Sequence, residues 1–346
     1  MRDRIRAYPM IVLLLPLVAA ILLLVERPPR YAPKPPHSAL QETLYGRLAA
    51  GGLSGDELAT VGALTLGYKD DIAPEVKRHF QASGAAHVLA VSGLHTGIIY
   101  FVLLWLLTLG GRVRPLYEDR FGRCALSLTI IAAMWFYAWL TGMTPSVVRA
   151  VLMVTLVEAG HMLRRSSLSL NTIAAAAVLI LLVHPKDLWS VSFQLSFAAT
   201  AAIVMVANEM ETTIKYHSLK RSPIGRIVNW FVGIIIVSIA AQLGTLPITM
   251  YYFHQVSTYF LLTNLIVLPI ATFLVPCGLI SLALGGSIAG VYFSRITHSL
   301  AWLMNHSVGW IESLPGSTFP AHINGVMLVA YYALFLLFYV FVFKKE

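Results

Sequence analysis

Charge is what this sequence has least of. Only 12% of its 346 residues are Asp, Glu, Lys or Arg, while 58% are hydrophobic. A soluble domain carries about 25% charge and about 45–50% apolar residues. That gap excludes an ordinary soluble enzyme and sets the membrane class before any motif is read. Cysteine is scarce too: Cys124 and Cys277 stand alone and form no CxxC pair. Neither a disulfide framework nor a zinc ribbon is indicated. Short segments of alternating polarity, the mark of an outer-membrane barrel, are missing. So are a GxxxxGK[ST] nucleotide loop, an internal repeat and a low-complexity tract. Helices remain as the way to satisfy backbone groups in lipid. At about 20 apolar residues per crossing, the chain has room for about nine or ten. The fold class expected is an all-α, polytopic integral membrane bundle with broken or polar-faced helices.

The net charge is +9. In a soluble protein that excess points to nucleic acid; here cytoplasmic loops are its ordinary source. Arg112, Arg114, Arg120 and Arg123 mark one such loop, Arg164 and Arg165 a second, and Lys215, Lys220, Arg221 and Arg226 a third. The turns at 141–145, 184–190 and 252–258 carry almost no positive charge. One alternating topology follows, with the N-terminus in the cytoplasm. The basic start Met1-Arg-Asp-Arg-Ile-Arg6 precedes an apolar run, and Glu26-Arg27-Pro28-Pro29 follows it instead of an Ala-x-Ala site. Residues 1–25 therefore read as a retained transmembrane helix.

Residues 26–84 read as an extracytoplasmic segment. Five prolines make its start extended, and 40–50 and 56–66 look helical. Seven basic and seven acidic residues between Glu26 and Arg78 leave it neutral, as suits the external side. Residues 85–346 hold the remaining apolar runs, at 87–109, 124–142, 146–163, 171–184, 191–207, 227–250, 259–284 and 327–343. Between the last two, residues 287–312 carry Arg295, His298, Asn305 and His306. That pattern suits a polar-faced span or an interfacial helix; a span returns Lys344 and Lys345 to the cytoplasm.

Polar groups in hydrocarbon are costly unless partnered, so intramembrane ones are functional candidates. In His87-Val-Leu-Ala-Val-Ser-Gly-Leu-His95, Ser92 and His95 stand at i and i+3 on one helix face, with Thr96 beside them. Gly93 and Gly97 form a small-xxx-small pair suited to close helix approach. Pro145 fits a first helical turn, with Arg149 one turn inside; arginine keeps its proton, so it needs a partner, a wet cavity or the interface. Glu158 and His161 make a single Glu-x-x-His, too few ligands for a di-metal bundle. Ser192, Gln194 and Ser196 alternate with apolar residues, which suggests an irregular helix start. Gln242 and Pro247, then Asn264 and Pro269, put polar groups and kinks in two later spans.

At four of these places the chain resembles the ComEC-type competence proteins: His87-Val-Leu-Ala-Val-Ser-Gly-Leu-His95, Pro145-Ser-Val-Val-Arg149, Phe193-Gln-Leu-Ser-Phe197 and Asn264-Leu-Ile-Val-Leu-Pro269. The resemblance covers about residues 40 to 345. It implies a channel that passes one strand of incoming DNA across the bacterial inner membrane during natural transformation. Two departures stand out. About 60 residues occupy the place of an external oligonucleotide-binding domain, without its run of strands, and no HxHxDH motif marks a nuclease domain. The resemblance therefore implies no nuclease activity, no zinc and no cofactor here. Receptor, nuclease and motor would be separate proteins, alongside single-stranded DNA, the lipid bilayer and a homo-oligomeric partner.

The expected path combines Arg149 for phosphate with Ser92, His95, Thr96, Gln194, Ser196, Gln242 and Asn264 as hydrogen-bonding groups. A partly protonated His95 would add charge. Half of these residues are expected to hold helices together instead. Two other readings compete. A secondary transporter of a small anionic solute needs paired broken helices in two halves, and no matching halves are found. An intramembrane hydrolase using Ser92 and His95 needs an orienting acid, and none stands near them in sequence.

Overall fold

Serine, proline and glycine punctuate this chain more legibly than its apolar runs do. The computed structural model describes residues 9–26, 37–89, 91–108, 119–164, 170–213 and 223–343. Apart from one short strand pair and one 3-10 turn (Pro185–Trp189), every element among the described residues is an α-helix. The chain divides into two compact units, one of Met1–Pro28, Ser169–Leu265 and Pro315–Glu346, the other of Pro29–Leu168 and Ile266–Leu314.

The first unit holds α1 (Pro9–Leu24), α8 (Leu170–Val183), α9 (Val191–Thr213), α10 (Pro223–Phe253) and α13 (Gly325–Phe343). Alanines at 174, 176 and 177 are buried on α8, and small residues of this kind let helix backbones approach. The same device joins α9 and α10: a Cβ on Gly244 would lie 2.5 Å from the Ala198 carbonyl oxygen. Met205, Val206 and Ala240 form a small core there, with Phe335 and Tyr339 packed on it. β1 (Gln255–Ser257) pairs antiparallel with β2 (Thr318–Pro320), Val256 opposite Phe319.

The second unit begins with α2 (Ala39–Ala50), α3 (Gly55–Thr65) and α4 (Pro74–Ala82). Ser38 caps α2 in a reciprocal box with Gln41, satisfying two orphan donors at once. Gln41 Nε2 also donates to the Leu66 carbonyl, and its side chain fills the space a Cβ would need at Gly142, whose φ is +71°. Every residue of α3 from Ala59 to Thr65 is buried. Next come α5 (Gly93–Leu107), α6 (Arg120–Leu140) and α7 (Pro145–Met162). α11 (Phe260–Ala283) belongs to this unit from Ile266 onward, and α12 (Ile288–Ser313) completes it. One core spans all of these helices, from Leu48 and Leu64 to Met134, Leu274 and Met304.

α12 is one continuous helix with a narrow buried stripe: Gly290, Ser294, Thr297, Ala301, Met304, Val308 and Ile311. That stripe packs on α3 and α4. Thus α3 lies within the packed core of the second unit, and α4 lays only Val76 and Phe80 into it.

Three helices among the described residues are long and apolar enough to cross a membrane: Arg120–Leu140, Ile224–Phe253 and Phe260–Ala283. Further apolar helices such as Gly93–Leu107 and Leu170–Val183 are shorter. Large apolar side chains face outward, among them Trp105, Phe121, Trp139 and Phe273. Outward apolar surface on this scale fits a membrane protein.

Candidate functional site

Helix α5 begins later than its apolar run. Residues 85–89 form turns, with exposed His87 placing Nδ1 3.2 Å from the Gly84 carbonyl. Ser92 is extended and caps the helix. Its backbone N–H donates to His95 Nδ1 at 3.1 Å, and its Oγ stands 3.1 Å from the same nitrogen. Thr96 Oγ1 donates back to the Ser92 carbonyl. Ser92 and His95 therefore do meet, but as a capping pair and not as two residues on one helix face. The Ser92 amide thus occupies the Nδ1 lone pair. That leaves Nδ1 poorly suited to act as a base toward the Ser92 hydroxyl. Ser92→Ala is expected to cost about 1 kcal/mol, the usual loss of an N-cap, read as a fall in melting temperature, whereas Ser92→Asn should stay close to the parent.

The start of α7 lies beside this cap. Thr144 precedes Pro145, which occupies the first turn, where its missing N–H is harmless. Ser146 Oγ donates to the Val91 carbonyl at 2.7 Å. A Cβ on Gly93 would touch Ala150 at 4.0 Å, whereas Gly97 faces open space. At Gly93 that is an ordinary van der Waals contact, and at Gly97 there is none within 4 Å. Gly67, with φ +73°, seals the junction: a side chain there would meet the Thr141 carbonyl at 3.2 Å. Two helix N-termini, each carrying partial positive charge, therefore converge. Arg149, one turn into α7, is 4% exposed, and His95 and Thr96 are fully buried.

Glu158, farther along α7, is also buried. It accepts from Tyr100 of α5 and Ser127 of α6, each at 2.7 Å, and His161 Nδ1 lies 3.4 Å away. Hydroxyl donors from two neighbouring helices thus share its carboxylate.

The other candidates, apart from Pro269 of the second unit, lie in the first unit. α9 is regular from Val191, so the expected irregular start is replaced by the 3-10 turn just before it. Gln194 Nε2 donates to the Leu188 carbonyl in that turn; it braces the turn. The Ser196 carbonyl accepts from Thr200, and Gln242 is half-buried two residues before Gly244. Asn264 Nδ2 donates to Ser238 of α10 at 3.2 Å. α10 runs through Pro247 unbroken. The proline leaves the Leu243 carbonyl without its helical donor, and Tyr331 of α13 supplies one at 2.9 Å. α11 likewise continues through Pro269 and a second proline, Pro276.

A family model for the competence proteins matches residues 64–346. The chain belongs to the competence protein family. ComE operon protein 3 of Bacillus subtilis is 30% identical over 252 residues, 72% of this chain and 30% of its own. Competence protein ComA of Neisseria gonorrhoeae is 31% identical over 157 residues, 45% of this chain and 22% of its own. Recombination protein 2 of Haemophilus influenzae is 24% identical over 196 residues, 56% of this chain and 24% of its own. The aligned part is thus less than a third of each of these relatives. No solved structure matches the chain.

This competence-family chain also carries a polar seam that its sequence only half revealed. Thr60 of α3 donates to Asn305 of α12 at 2.9 Å. Along the same face of α12, Ser294 Oγ, His298 Nδ1 and Asn305 Nδ2 are buried with no hydrogen-bond partner among the described residues. Buried polar atoms of this kind are normally met by ordered water. His298 and Asn305 stand out in the sequence as polar residues in an apolar run; Ser294 and Thr60 do not, because small hydroxyl residues are common in membrane helices.

Proposed function

We propose that this chain is the channel part of a DNA-uptake system, passing single-stranded DNA across the bacterial cytoplasmic membrane. The observation that carries this reading is the convergence of the α5 and α7 N-termini beside buried Arg149. A fixed guanidinium and two positive helix ends suit a phosphate, and family membership supplies the DNA context. In this reading the chain is multi-pass with its N-terminus in the cytoplasm. The shorter apolar helices then cross or enter the bilayer alongside the three long ones, and α12 closes the bundle. No enzymatic role falls to Ser92 and His95. The chain carries no GxxxxGK[ST] nucleotide loop, so in this reading a partner supplies the drive for transport.

A short helix whose N-terminus ends at a polar site is also how transporters hold small anions. The two readings separate in one experiment. A clean deletion should stop entry of labelled DNA into the cytoplasm while external binding persists, and Arg149→Ala should reproduce most of that loss. Normal entry in the deletion strain would overturn the channel and turn attention to anion uptake by vesicles.

A further inference from the structure

We propose that His254 and His322 form a two-imidazole site for a borderline divalent metal ion of the Zn(II), Ni(II) or Cu(II) class, at the base of the β1–β2 ribbon in the first unit. The two rings lie together, with centroids 4.7 Å apart and planes tilted by 33°. Both residues are exposed, so an ion reaches them directly. The site stands apart from the path residues and does not depend on what the chain transports.

The ribbon explains why two distant residues meet. Gln255 pairs with Pro320, and the ladder runs one step further, the Ala321 N–H donating to the His254 carbonyl at 3.0 Å. In a regular ladder His254 would share a face with Ala321 and point away from His322. His254 is not regular. Its φ is +56°, in the left-handed region that a residue with a Cβ seldom enters. That backbone turn takes the imidazole out of the strand alternation and toward His322. Each histidine is also anchored by a helix end. α10 stops at Phe253, one residue before the first. Asn324, two residues after the second, caps α13 by accepting the Met327 N–H at 2.9 Å.

The ring chemistry favours a metal. The Met250 carbonyl lies 3.2 Å from His254 Nδ1. A carbonyl only accepts, so Nδ1 donates, and the neutral ring keeps its free lone pair on Nε2. A backbone carbonyl behind a ligating imidazole is the usual arrangement at metal centres. Two nitrogens on one ion lie at most about 4.2 Å apart, twice the Zn–N length. Rings with centroids already 4.7 Å apart therefore need only side-chain rotation to share one. Residues 250–260 and 314–326 contain no Asp, Glu, Lys or Arg. No cation in these stretches repels the ion, and a nitrogen-only donor set selects Zn, Ni or Cu over Mg or Ca. Among the described residues no group of three or more His, Cys, Asp or Glu is placed to hold a metal. The site is thus an open one, completed by water and weaker than a closed four-ligand centre. Its ion ties the end of α10 to the approach to α13.

The test uses the full untagged chain in nanodiscs of zwitterionic lipid, with Cu(II) as the probe and Zn(II) as the competitor. Titration calorimetry on the parent should show a binding step that His254→Asn and His322→Gln each weaken by at least about tenfold, since disturbing even a group behind the ligands costs that much. Asn tolerates the left-handed backbone, so His254→Asn removes the ligand and keeps the turn. The electron paramagnetic resonance spectrum of the parent's Cu(II) should carry the hyperfine pattern of two imidazole nitrogens, and Zn(II) should displace it. Saturating Zn(II) should raise the melting temperature of the parent and of neither variant. His306→Ala, exposed on α12, should bind as the parent does. No binding by the parent, or full binding by either variant, overturns the site. So does an equal loss in His306→Ala, which would mark copper scattered over surface histidines.

Discussion

Glu158→Ala is expected to lower the stability of the detergent-solubilised protein by about 1–3 kcal/mol, the cost of leaving a buried hydroxyl donor unsatisfied. The carboxylate is buried and takes hydroxyls from Tyr100 and Ser127 at 2.7 Å. Its loss takes the acceptor from the buried Ser127 hydroxyl and from half-buried Tyr100, and opens a void where α5, α6 and α7 meet. Glu158→Gln keeps the volume and one acceptor, so it should lie between Ala and the parent. A thermal or denaturant titration measures the series. In a Tyr100→Phe, Ser127→Ala background the two stranded donors no longer exist, and the cycle should show coupling of about 0.5–3 kcal/mol. An Ala variant that melts with the parent would refute the network's structural role.

Gly244→Val should be damaging for the opposite reason. A Cβ there would sit 2.5 Å from the Ala198 carbonyl oxygen and 2.6 Å from Ala202 Cβ. Neither neighbour is the end of a flexible side chain, so α9 and α10 must move apart. Overpacking of this kind costs about 1–3 kcal/mol, and the branched Val should reach the top of that range. Gly233, on the same helix, is the control. Nothing lies within 4 Å of a Cβ there, so Gly233→Ala should be neutral or stabilising by up to about 1 kcal/mol, the usual helix-propensity difference. Equal melting shifts at the two positions would contradict the close α9–α10 contact.

The helices were largely legible from apolar runs, and Pro145 and the helices near 40–50 and 56–66 lie where local rules put them. The exact role of Ser92 was not legible. Ser-x-x-His inside an apolar run has the spacing of two residues on a helix face and of a capping pair alike; the turns at 85–89 decide between them. Gly93 and Gly97 look equivalent in sequence, yet only Gly93 finds a neighbour, because spacing carries no information about the partner helix. The role of Glu158 was hidden for a related reason. Its hydroxyl partners lie 58 and 31 residues away, and no local pattern announces them. The candidate residues also fall in two separate units, a division that a linear list cannot express.

Pro247 carries a mechanical consequence. Any bend of α10 at that proline loads the Leu243 carbonyl, and the group bonded to it belongs to α13, through Tyr331. Tyr332 grips the next carbonyl, that of Gly244, at 2.7 Å. Each hydrogen bond contributes about 0.5–1.5 kcal/mol. The hinge is therefore shared: α10 either breaks both ties when it flexes or carries α13 with it, so the pair behaves as one lever with a common pivot.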